Sequence, residues 1–330
     1  MVGPVENPLG VDPGASNDVW VGHSIHDDEP DTSEATLRTL LATECPGWSR
    51  LPVAYVETSG TDNAMWRVRV GSGRDAVVRL PRRPGAAEAV VHETELLGRL
   101  ATSPLGSVIS TPPVLHVGEP HEVFPHRWSV LGWLDGSDAW SARAELDKSL
   151  KELAVDLGEA VLAIRELSDL PAAERLPGDR GGPIEPLVQR LEWWLDDDRW
   201  RAPELIDVAR VRRLAAEALD AAGTVDTRFL HGDLIPGNLL VRSGRLSAII
   251  DWGTAGYGDP AQDLSPAWSV LDSEARRVFR DVVGADDATW IRARTFELEH
   301  AVGGVLYYVP RRHALGDVMA RTLERILRED

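Results

Sequence analysis

The stretch His231-Gly232-Asp233-Leu234-Ile235-Pro236-Gly237-Asn238, followed by Ile250-Asp251-Trp252-Gly253, decides the reading of this chain. Asn238 stands five residues after Asp233, and Asp251 thirteen residues after Asn238. The runs Asn238 to Arg242 and Leu246 to Asp251 are short and rich in Leu, Val and Ile, which predicts two strands joined by a hairpin. Such a hairpin brings two carboxylates and an amide together, a donor set suited to a hard cation beside a reacting hydroxyl. Singly, these residues have ordinary structural readings: His231 as a hydrogen-bonded core residue, Asp233, Gly237 and Asn238 as turn formers. Jointly, their spacing and the apolar runs between them favour a catalytic constellation, with His231 orienting the loop.

The spacing is the grammar of a kinase catalytic loop, in which an Asn follows the loop Asp by five residues and a second Asp comes from a D-F-G segment. With Asp259-Pro260-Ala261-Gln262-Asp263-Leu264 downstream, the chain resembles the aminoglycoside phosphotransferase family, which includes macrolide kinases, from about Thr36 to the final helix. The resemblance implies an α+β, bilobal, protein-kinase-like fold: an N-lobe of antiparallel sheet plus helices and a mainly helical C-lobe. It implies Asp233 as catalytic base, Asn238 and Asp251 as Mg²⁺ ligands, ATP or GTP as phosphate donor, and Asp263 as a prop for the loop. The implied reaction moves the γ-phosphate to a hydroxyl of a small molecule, an antibiotic, with aminoglycosides ahead of macrolides and nucleosides. A metabolite acceptor such as an amino alcohol or sugar, or a catalytically impaired nucleotide-binding pseudoenzyme, stands as the alternative. A protein kinase is disfavoured, because Asp259-Pro260 follows Asp251 within eight residues and leaves no room for an activation loop.

Working outward, residues 32–134 read as a nucleotide-binding lobe. A helix is expected from Thr32 to Thr43, then strands at Pro52 to Thr58, Ala64 to Val70 and Ala76 to Leu80, and a helix from Ala86 to Leu100. Two more strands are expected at Val114 to Val117 and Trp128 to Trp133. The polar turn Ser59-Gly60-Thr61-Asp62-Asn63 lies where a phosphate-covering loop belongs, although such a turn is also an ordinary hairpin tip. Arg79 stands where the kinase strand carries Lys, a departure that keeps the charge but changes its geometry. Glu93, on the following helix, is its expected partner. Gly132, Trp133 and Leu134 lead into a hinge at Asp135-Gly136, where backbone groups are expected to meet the purine edge, with core packing the competing role for Trp133.

Residues 135–330 read as the catalytic and acceptor-binding lobe. Apolar residues at steps of three and four from Ala144 to Leu170 predict one long helix, with further helices at Pro186 to Trp200, Pro203 to Ala222, and about 274–284, 288–308 and 313–328. Trp193, Trp194 and Trp200 lie beside Asp196 and Asp197. They suit either an acceptor pocket or plain core and a solvated helix end.

Composition narrows the partners. Lys and Arg number 35 against 53 Asp and Glu, a net charge of −18 that repels nucleic acid and anionic lipid. No segment approaches the roughly 20 apolar residues of a membrane span, and no secretory signal is read at the N-terminus. Cys45 is the only cysteine, so no intrachain disulfide is available and a reducing cytoplasm is the expected compartment. Residues 1–31 mix Gly, Pro, Asp and Asn without periodicity and read as an arm, with Trp20 and Val21 as its possible anchors.

Overall fold

The computed structural model describes residues 29–56, 62–71, 74–170, 180–196, 206–221 and 223–329. The first helix, α1 (Glu34–Glu44), is capped by the Ser33 hydroxyl, which accepts from Thr36 N at 3.4 Å. Strands β1 (Val53–Tyr55), β2 (Asn63–Val68) and β3 (Ala76–Pro81) follow, then helix α2 (Pro84–Leu100), β4 (Val114–Gly118) and β5 (Trp128–Gly132). The five strands form one antiparallel sheet in the order β1-β2-β3-β5-β4. Alternate residues of β2 are buried, and β3 at the centre is buried throughout, as a strand covered on both faces must be.

Leu37, Leu40 and Leu41 of α1 lie with Trp66, Val78, Phe124, Trp128 and Val130 in a core of their own on one face of this sheet. The entry to α1 is pinned as well: the Trp66 indole donates to Thr32 O at 3.0 Å, and Glu29 pairs with buried Arg82. Trp20 and Val21 lie outside the described residues.

Beyond the hinge the chain becomes mainly helical. A two-residue strand, β6 (Ser137–Asp138), leads to α3 (Arg143–Leu146), α4 (Leu150–Arg165), α5 (Ile184–Asp196) and α6 (Val208–Asp220). The single helix expected over 144–170 is thus two. Leu146 O accepts from Ser149 N at 2.8 Å, closing a turn that ends α3 and redirects the chain into α4. Pro186 lies within the first turn of α5 instead of opening it, a position where its missing N–H costs no helix bond.

Strand β7 (Arg228–Leu230), the hairpin β8 (Leu239–Arg242) and β9 (Arg245–Ile249), and β10 (Gly256–Gly258) then carry the chain through the region of the motif. Helices α7 (Pro266–Ser269), α8 (Ser273–Val283), α9 (Asp287–Tyr308) and α10 (Ala314–Leu327) complete it. Neither β6, which pairs with β8, nor β10, which pairs with β7, was expected from the sequence; both are too short to leave a periodic trace. Helix α9 is buried along most of its length within the larger core.

The close approach of β4 and β5 sets one strict packing requirement. A Cβ at Gly118 would lie 1.9 Å from the Trp128 indole, which is fully buried under the sheet. Gly118→Ala is therefore expected to cost about 1–3 kcal/mol through overpacking, read as a lowered thermal midpoint. An unchanged midpoint would show that the indole has room to shift.

Candidate active site

The loop after β7 is built on buried hydrogen bonds. His231 N and Gly232 N donate to Asp263 Oδ2 and Oδ1 at 2.7 and 2.8 Å, and both Asp263 and His231 are fully buried. Gly232 takes φ +85°, and a Cβ there would also meet Thr254 O at 3.0 Å, so the turn requires glycine. His231 Nδ1 accepts from Asp233 N at 3.2 Å, which leaves Nε2 to donate to Ile250 O at 3.1 Å. This is the neutral imidazole, and burial pushes its pKa down to about 4. One ring thus couples the loop carrying Asp233 to the backbone just before Asp251.

Asn238, nine-tenths buried in a 3-10 turn ahead of β8, donates its side-chain N–H to Asp233 O at 2.9 Å and to Asp233 Oδ2 at 3.3 Å. Its backbone carbonyl accepts from Ile250 N at 3.0 Å. Asp251 follows with φ 64° and ψ 66°, left-handed angles that a non-glycine residue adopts only where its surroundings impose them. Its side chain is half exposed. The hairpin therefore brings Asp233, Asn238 and Asp251 together.

A Mg²⁺ ion fits this donor set. The Asn238 N–H groups are turned to Asp233, leaving the amide oxygen as the other end, and Asp251 offers an accessible carboxylate. Hard oxygen donors, few in number and completed by phosphate and water, are what Mg²⁺ takes in nucleotide sites.

The sheet reaches the same place. Arg79 of β3 pairs with Glu93 of α2 and donates to Asp251 Oδ1 at 3.3 Å. Glu93, 1% exposed, also accepts from Trp252 N at 2.9 Å through its other oxygen. Burial pushes the Glu93 carboxyl up, while the guanidinium and the Trp252 N–H pull it back toward the charged form.

The hinge is more committed than expected. Gly132 N donates to Pro113 O at 2.8 Å and Trp133 N to Asp75 O at 2.9 Å, while the Arg67 guanidinium covers the Trp133 ring at 4.2 Å. Trp133 is thereby a packing residue, and the Gly132 and Trp133 N–H groups are already engaged. Asn63 opens β2 with its amide oxygen buried. Ser59, Gly60 and Thr61 lie outside the described residues.

On the far side of Asp233, the structure assembles residues the sequence had not singled out. Arg180 pairs with Asp233 and approaches His300 Nε2 at 3.5 Å. Glu299 of α9 takes Arg190 at 2.5 Å and the Trp194 indole at 3.2 Å. Trp194 is buried and Trp193 packs edge-on against it at 4.8 Å. Asp196 points away, largely exposed and bound to Arg212 at 2.5 Å, while Asp197 and Trp200 fall outside the described residues. No local pattern announces Arg180 or Glu299, since their meeting depends on loops and helices far apart in the chain.

The family model of the phosphotransferase enzyme family matches residues 57–297. The chain belongs to that family. As a member it is an NTP-dependent phosphotransferase with an alcohol group as acceptor. Among solved structures, the GDP complex of wild-type aminoglycoside 2'-phosphotransferase-IIIa superposes with a TM-score of 0.66 at 19% identity, over 89% of this chain and 97% of that one. The macrolide 2'-phosphotransferase MphH from Brachybacterium faecium gives 0.60 at 22% identity, over 88% and 97%. The ADP-bound aminoglycoside phosphotransferase APH(2'')-Ib gives 0.57 at 17%, over 89% and 96%. These likenesses show the fold, a bilobal α+β kinase-like one. No curated protein matches the sequence.

The buried neutral His231 makes stability depend on pH. Its pKa is about 4 in the folded chain against 6.5 as the ordinary value, so the unfolded chain takes up the proton first on acidification. The stability it contributes is intact above pH 6.5 and lost as the pH falls toward 4. Urea midpoints should drop across that range, and His231→Gln, which keeps an N–H for Ile250 O, should flatten the slope in part. A slope unchanged by the substitution would contradict the assignment.

Proposed function

We propose that this phosphotransferase moves the γ-phosphoryl group of ATP or GTP, with Mg²⁺, to a hydroxyl of an antibiotic-type small molecule. The observation that carries the reading is the meeting of Asp233, Asn238 and Asp251 on one hairpin, with the Arg79–Glu93 pair reaching Asp251 from the sheet. In this reading residues 32–134 hold the nucleotide and residues 135–330 carry the chemistry and the acceptor.

Asp233 orients the acceptor hydroxyl and takes its proton, with His231 and Asp263 keeping the loop in shape. Asn238 and Asp251 would hold Mg²⁺, which when bound neutralises phosphate charge. Arg79 clamps the phosphates through its fork, and Glu93 positions it. On sequence position, Ser59, Gly60, Thr61 and Asn63 are assigned to the phosphates and the Gly132–Leu134 segment to the base, with Trp133 serving there by packing. The lone Cys45 supports a cytoplasmic setting, and no described helix is long and apolar enough to cross a membrane.

For the acceptor, aminoglycosides come first. A kanamycin complex and a gentamicin complex of APH(2'') enzymes stand among the similar structures, and the net charge of −18 suits a polycation. A specific observation favours a second reading, a macrolide-type acceptor of lower charge: Asp233 and Glu299 are already paired with Arg180 and Arg190, and the Trp194 indole, with Trp193 packed on it, meets Glu299.

Asp233→Asn should lower kcat by about 10² to 10⁴ with Mg-ATP and Mg-GTP affinity retained. Asp251→Ala should weaken Mg-nucleotide binding as well as turnover. Calorimetry and a transfer assay over aminoglycosides, macrolides and nucleoside antibiotics measure both, and near-wild-type turnover in Asp233→Asn would refute the assignment. Across the same panel, an acceptor KM that rises with salt marks the polycation, and one indifferent to salt marks the macrolide-type pocket.

A further inference from the structure

The roles above leave unassigned the side chain that sits on the candidate base. We propose that Arg180 is a second catalytic cation, a guanidinium supplied in cis that touches the transferring phosphoryl group and stabilises the charge developing on it. The proposal rests on the phosphotransferase reading of Asp233, Asn238 and Asp251.

Catalysis of phosphoryl transfer is largely positioning and positive charge around the equatorial oxygens. The catalytic loop holds no cation of its own: between Asp233 and Asn238 it reads Leu-Ile-Pro-Gly. Arg79 is drawn to the Glu93 side, with one nitrogen near Asp251. The transferring group must pass between the hydroxyl at Asp233 and the cation site at Asn238 and Asp251. Arg180 is paired with Asp233 and lies within electrostatic reach of Asp251, so it borders that passage from the acceptor side. Its side chain remains 36% exposed, open to an arriving substrate.

The placement is built in. Gly181, next in sequence, donates its N–H to Gln262 Oε1 at 3.0 Å, and its carbonyl accepts from Asp259 N at 2.7 Å. Gly181 takes φ +73°, and a Cβ on Gly258 would come within 2.5 Å of Gly181 O, so this contact needs a glycine on both sides. Asp259 is itself held by Arg292 at 2.7 Å in a buried pair. Asp259 caps, and Gln262 and Asp263 belong to, the 3-10 turn Pro260–Leu264, whose Asp263 carries His231 and Gly232. Arg180 and Asp233 thus hang from the same turn, and their relative position is set before any substrate binds, which is what preorganised electrostatic stabilisation requires.

Burial pushes the Arg180 guanidinium down, against the pull of Glu299 and Glu297. His300, a further contact of Arg180, is pushed down to about 3 by burial and by Arg180 and Arg190, and so is neutral. Burial pushes the Glu297 carboxyl up to about 8 against the pull of Arg180, so most of it is uncharged at pH 7. Glu299 is taken by Arg190. Asp233 is a direct carboxylate partner of Arg180, and in the proposed reaction Asp233 receives the proton.

In the step itself the acceptor oxygen bonds to the γ-phosphorus. The bond from that phosphorus to the β–γ bridging oxygen breaks, its electron pair leaving on the nucleoside diphosphate, and the hydroxyl proton passes to Asp233. Arg180 exchanges no atom. As Asp233 is neutralised, the guanidinium's countercharge shifts to the phosphoryl oxygens.

The test uses the full chain with Arg180→Ala, Arg180→Gln and Arg180→Lys, each checked by circular dichroism and thermal melting. Mg-ADP and Mg-GDP are titrated with and without fluoroaluminate, a mimic of the transferring group, and turnover is followed as transfer to the acceptor panel and as hydrolysis to water. The expected result is nucleoside diphosphate affinity within about twofold of wild type in all variants, loss of the fluoroaluminate-stabilised complex in Arg180→Ala and Arg180→Gln, and kcat lowered by about 10³. Arg180→Lys should recover only part of this, and millimolar guanidinium should restore turnover to Arg180→Ala. The assignment is overturned if Arg180→Ala or Arg180→Gln keeps the fluoroaluminate complex and a kcat within about threefold, or if only the pH profile or the acceptor KM moves, as for a merely structural partner of Asp233. Wild-type protein that neither forms that complex nor turns over any nucleotide would overturn the phosphotransferase reading and this one with it.

Discussion

The buried carboxylate of Asp263 carries the site. It accepts from the consecutive backbone N–H groups of His231 and Gly232, and without it two donors would be buried unpaired at the head of the loop that carries Asp233. Because Asp263 lies on the same turn as Gln262 and is preceded by Asp259, one five-residue segment fixes the loop of Asp233 and the chain around Gly181 together. The buried Arg292–Asp259 pair then ties that turn to the long buried helix α9. The rigidity of the candidate site is thus inherited from the core of the helical region.

Glu93 does the corresponding work between the sheet and the hairpin. A single carboxylate receives the Arg79 guanidinium on one oxygen and the Trp252 N–H on the other, so β3, α2 and the segment after Asp251 meet at one buried point. The arginine at this position keeps its charge at any accessible pH and offers several donors. It can therefore bind Glu93 and Asp251 at once, as it does here. The left-handed backbone of Asp251 is held between this anchor and the His231 contact to Ile250 O, which explains how a non-glycine residue persists there.

The surroundings of Asp233 follow a different economy of charge. An acidic protein presents, around its candidate base, carboxylates that are mostly engaged by guanidinium groups or held neutral by burial. The net charge therefore does not describe the local field at Asp233, and long-range attraction of a cation and its local recognition are separable properties of this molecule.

Much of the fold was legible in the sequence, because strands and helices leave periodic traces and the motif spacing needs no tertiary information. The strands of the sheet, the hairpin and helices α8 to α10 appear within a few residues of where periodicity puts them. The break between α3 and α4 was not legible, since the apolar period runs on across it and only the turn at Leu146 and Ser149 interrupts the helix. Nor were β6 and β10, each too short to show alternation. Within the site, Asp233, Asn238, Asp251 and Asp263 stood out by spacing, and Arg79 and Glu93 by their place on a strand and the next helix. Arg180, Glu299 and His300 did not, and Asp196, prominent in the sequence, faces solvent beside Arg212. The sequence by itself determined the residue types, the spacing and the family, because these are local properties of the chain. Which charges meet was decided only by the tertiary structure, because Arg180 reaches Asp233, and Arg190 reaches Glu299, across 53 and 109 residues of chain through backbone and packing constraints that no local pattern encodes.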